Sequence, residues 1–315
     1  MENDAMQVQT KRFPAPNPRG SKERRFDRSI EDLGNMVMLE HVNITVPDQR
    51  LATLFYVTGL GLTRDPYLMT GVTNMWVNVG RSQFHLPSGK AQVLRGITGL
   101  VIPGRAALLD RLQGVKDLLA DTKFSFRETP GHVEATCPWG NRIRVHEPAV
   151  EFGAMRLGMP YVELEVPRGT AEAIARFYRE IVATGASVTE VSGEKAARVS
   201  TGPDQFLVYR ESDAAASAPA FDGHHIAVYL ADFSGPYKRL LERDLVSEES
   251  DQHQYRFEDI TDLSTGKVLF KLEHEVRSMR HPLYAREHVN RNPAQSNRVY
   301  APGHEALSWD LPAAG

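Results

Sequence analysis

After Met38 the chain repeats one order of elements four times: an opening strand, a helix, then three further strands joined by Gly-rich turns. Repetition is the architecture to expect. The first unit, 38–96, opens with a strand from His41 to Val46, has a helix near Gln49 to Thr58, and continues through Gly61 to Arg64, Asn74 to Val79 and Ser82 to Leu86. The second, 97–155, opens with Ile97 to Ile102, has a helix near Ala106 to Ala120, and closes with Phe124 to Arg127, His132 to Thr136 and Arg142 to His146. The third, 156–212, opens with Tyr161 to Val166, has a helix from Ala171 to Val182, and ends near Gln205 to Tyr209. A low-complexity run, SDAAASAPA, leads into the fourth, 213–276, which opens at His225, has a helix around Ser234 to Arg243, and finishes with Tyr255 to Ile260 and Lys267 to Glu273.

Two of the opening strands share a finer pattern. LEHVNITVPD (39–48) and GHHIAVYLAD (223–232) each carry a histidine, an apolar run of period two, and an aspartate seven residues after the histidine. Side chains alternate across a strand, so Val42, Ile44 and Val46 share one face while His41, Asn43 and Thr45 share the other. Ile226, Val228 and Leu230 likewise oppose His225, Ala227 and Tyr229. If helices cover the apolar faces, both histidines look into a concavity.

With 315 residues, 41% of them hydrophobic, the chain has material for sizeable cores. A net charge of −3 gives no general reason to bind nucleic acid or an anionic membrane, which leaves a small molecule as the expected partner. The single cysteine, Cys137, excludes an internal disulfide and suits a reducing compartment. No apolar run reaches the roughly 18 residues of a spanning helix, and the polar N-terminus lacks a secretory core, so a cytoplasmic protein is expected. Residues 1–37, rich in Pro, Arg and Lys, read as a flexible arm. Residues 277–315 form a tail in which Arg277, Arg280, Arg286, Arg291 and Arg298 are interleaved with aromatics and prolines. The acidic whole-chain balance favours a packed arm over a cup or a neighbouring subunit, and a homo-oligomer fits that reading.

HVNITVPD with FYVTGLGL, FYRE in the third unit, PWGNRIRVHEP, and HHIAVYLAD followed by TGKVLFKLE resemble the vicinal oxygen chelate superfamily of glyoxalases, bleomycin-resistance proteins and extradiol dioxygenases. The resemblance covers about residues 38–276. It implies an α+β fold of four βαβββ modules paired into two cupped partial barrels, one/four and two/three, with a divalent metal in one cup. The first and last modules as metal-bearing partners resemble the hydroquinone-type ring-cleaving dioxygenases.

In that family the ligands come from the first and last strands of paired modules. His41 and His85 stand at those places in unit one, and His225 and Glu273 in unit four, when QFHL is aligned with KLEH. The implied metal set is His41, His85, His225 and Glu273, with Glu275 a competitor. Units two and three fail the same test. There Ile97, Tyr161 and Leu207 occupy ligand places, although His146 closes unit two, and Glu163 and Glu165 are expected to meet Arg142 and Arg144 as ion pairs.

Two imidazoles and a carboxylate suit iron(II), which is favoured, with manganese, zinc, nickel or cobalt as alternatives. The implied activity is ring cleavage of a small aromatic diol with O2. His85 has two readings, as a fourth ligand that favours redox-neutral glyoxalase-like chemistry, or as an acid/base beside the ion. A binding protein of the resistance type is the non-catalytic alternative. Tyr229 and His253 are further catalytic candidates, and Asn43, Thr45, Trp76, Gln83 and Lys271 are expected to line the cavity. His224 and His274 fall on outward faces, as structural histidines.

Overall fold

A computed structural model describes residues 26–65 and 73–286. Residues 26–32 belong to a short N-terminal unit, a turn in which Asp27 Oδ1 accepts from the Ser29 backbone N–H at 3.0 Å. Residues 1–25 of the expected arm and the tail beyond Arg286, with Arg291 and Arg298, lie outside the described residues, whereas residues 33–37 are no arm: Asn35 and Met36 are buried, and β1 begins at Met36.

From Leu33 onward the four-fold repetition is present. The first module contains β1 (Met36–Asn43), α1 (Gln49–Ala52), β2 (Thr63–Arg64), β3 (Asn74–Val79) and β4 (Ser82–Pro87). The second contains β5 (Gly96–Val101), α2 (Arg105–Val115), β6 (Ser125–Glu128), β7 (Val133–Thr136) and β8 (Arg142–His146). The third contains β9 (Gly158–Val166), α3 (Ala171–Phe177), β10 (Ala186–Val191), β11 (Glu194–Gly202) and β12 (Gln205–Glu211). The fourth contains β13 (His225–Leu230), α4 (Ser234–Leu241), β14 (Val246–Asp251), β15 (Gln254–Thr261) and β16 (Val268–Ser278).

These strands make two eight-stranded sheets, ordered β14-β15-β16-β13-β1-β4-β3-β2 and β10-β11-β12-β9-β5-β8-β7-β6. Modules one and four share the first sheet, and modules two and three the second. At each centre the opening strands of two modules lie antiparallel, and each closing strand runs parallel to its own opening strand. Neither sheet closes into a barrel, so each is a cup with one open side.

The seven-residue spacing from histidine to aspartate now has a local cause. The histidine faces the cup, whereas the aspartate caps the helix that follows its strand. Asp48 Oδ1 accepts from the backbone N–H groups of Arg50 and Leu51 at 2.7 and 3.0 Å, and Asp232 Oδ1 accepts from that of Gly235 at 3.1 Å. The helices then cover the outer face. Phe55, Tyr56, Phe177 and Tyr178, from LFY and FYRE, are fully buried beneath them, and each such ring is worth about 1.5–3 kcal/mol.

β1 departs from the period-two reading, because it begins at Met36 rather than His41. Its register with β13 slips between Met36 and Met38 and again between Leu39 and His41, so two β-bulges interrupt the alternation. Just before the second bulge, the Gln205 side chain from the other sheet takes both backbone groups of Leu39 and also donates to Met159 O and Ser82 Oγ, each at 3.0 Å. A buried amide thus fastens the two sheets together. No helix among the described residues is long and apolar enough to cross a membrane.

Candidate metal centre

In the first sheet Asn43 stands opposite His225, and His41 opposite Ala227. A local twofold therefore relates the two modules, with His41 and His225 as equivalents. Opposite His225 on β16 is Glu273, and opposite His41 on β4 is Gln83. Gln83 is thus the counterpart of Glu273, and His85 the counterpart of Glu275. This corrects the alignment of QFHL with KLEH, which had matched His85 to Glu273. A four-residue likeness carries no information about an offset of one pleat, which shifts the register while keeping the same face.

His41, His85 and His225 each offer a ring nitrogen, and these atoms all lie within 4.8 Å of one another. It is the one such group of His, Cys, Asp or Glu side chains among the described residues. His41 is fully buried, with Nδ1 2.9 Å from Glu40 Oε2. His225 lies between two carboxylates, Nδ1 3.3 Å from Glu273 Oε2 and Nε2 3.4 Å from Glu275 Oε2. His85 stacks on Trp76 at 3.9 Å between ring centroids, and its Nε2 pairs with Asn74 Oδ1 at 2.8 Å. The Nε2 atoms of His41 and His225 are buried and make no hydrogen bond. Buried polar atoms of this kind ordinarily have a partner, and a divalent cation is the partner that converging imidazole nitrogens fit.

The electrostatics agree with that donor set. Burial holds the imidazole of His41 below its ordinary pKa and that of His85 well below it, so both are neutral and ligand-ready near pH 7. Burial also opposes charge on His225, but Glu273 and Glu275 outweigh it and raise its pKa. Burial would raise Glu275, yet His225, Arg277 and His41 overcome that and keep it an anion. Arg256 bridges the two carboxylates, 3.2 Å from Glu273 and 2.6 Å from Glu275, and Arg277 meets Glu275 at 2.5 Å.

The other sequence-predicted residues divide. Asn43 and Trp76 are buried beside the cluster, Asn43 directly between His85 and His225. Gln83 is buried one pleat from His85, where it donates to Asp65 Oδ2 at 2.8 Å. Tyr229 is buried and donates to Glu40 Oε1 at 2.8 Å, which makes it a support for that carboxylate. Thr45 lies past the end of β1, bonded to Lys90 and Gln92 of the following loop. Lys271 is half exposed and pairs with Glu258 and Asp259. His253 is not in the cluster. It occupies the β14–β15 turn, its carbonyl accepting from Ser278 N at 2.9 Å, five residues along β16 from Glu273 and so about 16 Å away. The expected outward histidines are structural, His224 bonded to Asp222 and His274 to Tyr178 and the Leu272 carbonyl.

Sequence reasoning missed Glu40 and Asp65. Period two sends Glu40 to the apolar side, and nothing in the string marks the bulge that turns it inward. Asp65, fully buried, receives Arg286 Nη2 at 2.6 Å, while Tyr284 packs edge-on against Tyr229 with ring centroids 4.9 Å apart. The tail up to Arg286 therefore lies against the one/four cup.

The second cup is filled differently. Glu163 meets Arg210 at 2.8 Å and Arg144 at 3.6 Å, and Glu165 meets Arg142 at 2.8 Å, the ion-paired interior expected there. His146 Nε2 pairs with Tyr161 OH at 2.8 Å.

No protein-family model matches the sequence, and no curated protein does. Solved structures do match in fold. Glyoxalase I from Zea mays superposes with a TM-score of 0.52 at 12% identity, over 80% of this chain and 95% of that one. A single-residue mutant of the same maize enzyme superposes with a TM-score of 0.53 at 11% identity, over 78% of this chain and 92% of that one. A putative dioxygenase from Bacillus subtilis matches at 16% identity with a TM-score of 0.49, over 78% of this chain and 86% of that one. The chain therefore has the fold of the maize glyoxalase I structures.

Proposed function

We propose that this chain is a divalent-metal-dependent enzyme whose reaction takes place on a small, vicinally oxygenated substrate in the one/four cup. One observation carries the reading: ring nitrogens of His41, His85 and His225 converge within 4.8 Å, and the buried Nε2 atom of His41 has no hydrogen-bond partner. These three residues and a carboxylate would hold the ion. The local twofold favours Glu275 as that carboxylate, with Glu273 holding His225 Nδ1. When bound, a divalent metal polarises two neighbouring substrate oxygens as a Lewis acid, and iron(II) supplies O2 chemistry besides.

The chain's own residues prepare the cup for such a substrate. Trp76 covers one face of His85 and excludes water from it. Arg256 and Arg277 offset two of the three charges of Glu273, Glu275 and Glu40, so the cup keeps a net carboxylate charge that suits a divalent cation. Ring cleavage of a small aromatic diol by iron(II) and O2 is the first chemistry to test. A second, redox-neutral isomerase or lyase chemistry is favoured by the place of His85, since its nitrogen among the other two supports four protein donors rather than three.

The test begins with protein purified without oxygen and loaded with iron(II), manganese, cobalt, nickel or zinc. O2 uptake on a panel of aromatic diols supports ring cleavage. Anaerobic proton transfer on α-hydroxycarbonyl compounds supports the redox-neutral reading. Failure of the wild-type chain to retain any of these metals would sink both.

A further inference from the structure

We propose that Glu40 is the positioning carboxylate of this centre: a β-bulge delivers it into the cup, where it accepts the Nδ1–H of His41 and turns the Nε2 lone pair of His41 toward the ion. The inference rests on the metal centre proposed above and assigns a role to a residue that is not itself a ligand.

Strict alternation would place Glu40 on the side opposite His41. The register with β13 instead gains one residue between Leu39 and His41, and the residue inserted is Glu40. Bulges re-aim side chains in this way, and both Glu40 and His41 end up buried and in contact. The bulge is braced both from within the module and from outside it, because Leu39 O accepts from Ser82 Oγ of β4 at 2.8 Å and from Gln205 of the other sheet at 3.2 Å.

Glu40 is also held on its far side. Tyr229 OH donates to its Oε1 at 2.8 Å, and Arg277 Nη1 donates to its Oε2, the same oxygen that meets His41. A guanidinium can only donate, so Glu40 Oε2 is the acceptor toward Arg277, and the same oxygen accepts the Nδ1–H of His41, which leaves Nε2 of that ring as a lone pair. That is the atom with no hydrogen bond. Carboxylates that orient a metal-bound imidazole act through this contact, and their loss typically weakens metal affinity 10–100-fold.

Module four lacks the device. The residue before His225 is His224, which points away and bonds to Asp222 at 2.6 Å, while Glu273 takes His225 Nδ1 from the neighbouring strand. The two equivalent histidines are thus oriented by different means.

A plain structural role, Glu40 as the counter-ion of Arg277, is separable by a double-mutant cycle. Cobalt(II) binding is followed by calorimetry and visible absorption in wild type, Glu40→Gln, His41→Ala and the double variant. The near-isosteric glutamine keeps the volume and hydrogen-bonding capacity of the site. The expected result is a 10–100-fold loss of affinity for Glu40→Gln in the wild-type background, and no further loss when His41 is already alanine. Equal losses in both backgrounds overturn the positioning role. Nitrogen-15 NMR of the metal-free wild type gives a second readout, expected to show His41 as the Nδ1–H tautomer; the Nε2–H tautomer overturns the proposal. If wild type takes up no cobalt the metal centre falls, and the proposal with it, whereas uptake with equal losses removes only the role of Glu40.

Discussion

The side-chain amide of Gln205 holds Leu39 across the junction of the two sheets, accepting from its N–H at 3.1 Å and donating to its C=O at 3.2 Å. Leu39 immediately precedes the bulge that turns Glu40 inward. Replacing Gln205 by Leu leaves buried backbone groups unpaired, at a cost of about 1–3 kcal/mol. Urea denaturation should show that loss, and a cobalt titration should show weaker binding although the substitution lies on the other sheet. A stability loss with unchanged cobalt affinity would separate the bulge from the centre.

Glu275 and Glu273 make a direct comparison, since each touches His225. Metal retained after dialysis at fixed free metal should fall further for Glu275→Gln than for Glu273→Gln, because Glu275 is the twofold counterpart of His85. The reverse order would make Glu273 the ligand.

Glu163 should matter for stability and not for metal. Its carboxylate serves Arg210 and Arg144, and Glu163→Gln would remove the carboxylate of Arg144 and leave Arg210 with Glu165 alone, at 3.4 Å. The expected cost is about 2 kcal/mol, below the roughly 3–5 kcal/mol of a fully buried pair because both arginines keep some contact with water. Elemental analysis of the same variant should give the wild-type metal content.

His146 gives the second cup a pH dependence. Burial, together with the nearby His132 and Arg144, lowers its pKa to about 4. Between the ordinary histidine value and that one the unfolded chain binds more protons than the folded chain, so this contribution is full above about pH 6.5 and is lost as pH falls toward 4. Denaturation midpoints of wild type and His146→Gln should converge over that interval as the pH is lowered. A constant gap would show that His146 does not contribute to acid sensitivity.

Much of the fold was legible because its signals are local. The paired aromatics under α1 and α3, the capping aspartates and the alternation in β13 each depend on residues a few positions apart. His41 and His225 were legible for the same reason, as inward positions of strands with a clear apolar side. What escaped depends on relations between strands. The bulge at Glu40 exists only against β13, and the pairing of His85 with Glu275 exists only through the register of four strands. Asp65 was hidden because its partner Arg286 stands more than two hundred residues away, in a tail with no periodicity of its own.

The two cups of the same topology are both laced by arginine–glutamate pairs that the chain itself supplies, Arg256 and Arg277 in the first and Arg142, Arg144 and Arg210 in the second. Such a scaffold keeps its curvature without help from an ion. A cation held by the histidine cup, as proposed, would then be exchangeable as a tool is exchanged in a fixed holder. Loading stabilises the protein only by mass action, about 2.7 kcal/mol at a hundredfold excess over Kd, and a chelator should return a folded chain ready to accept a different metal.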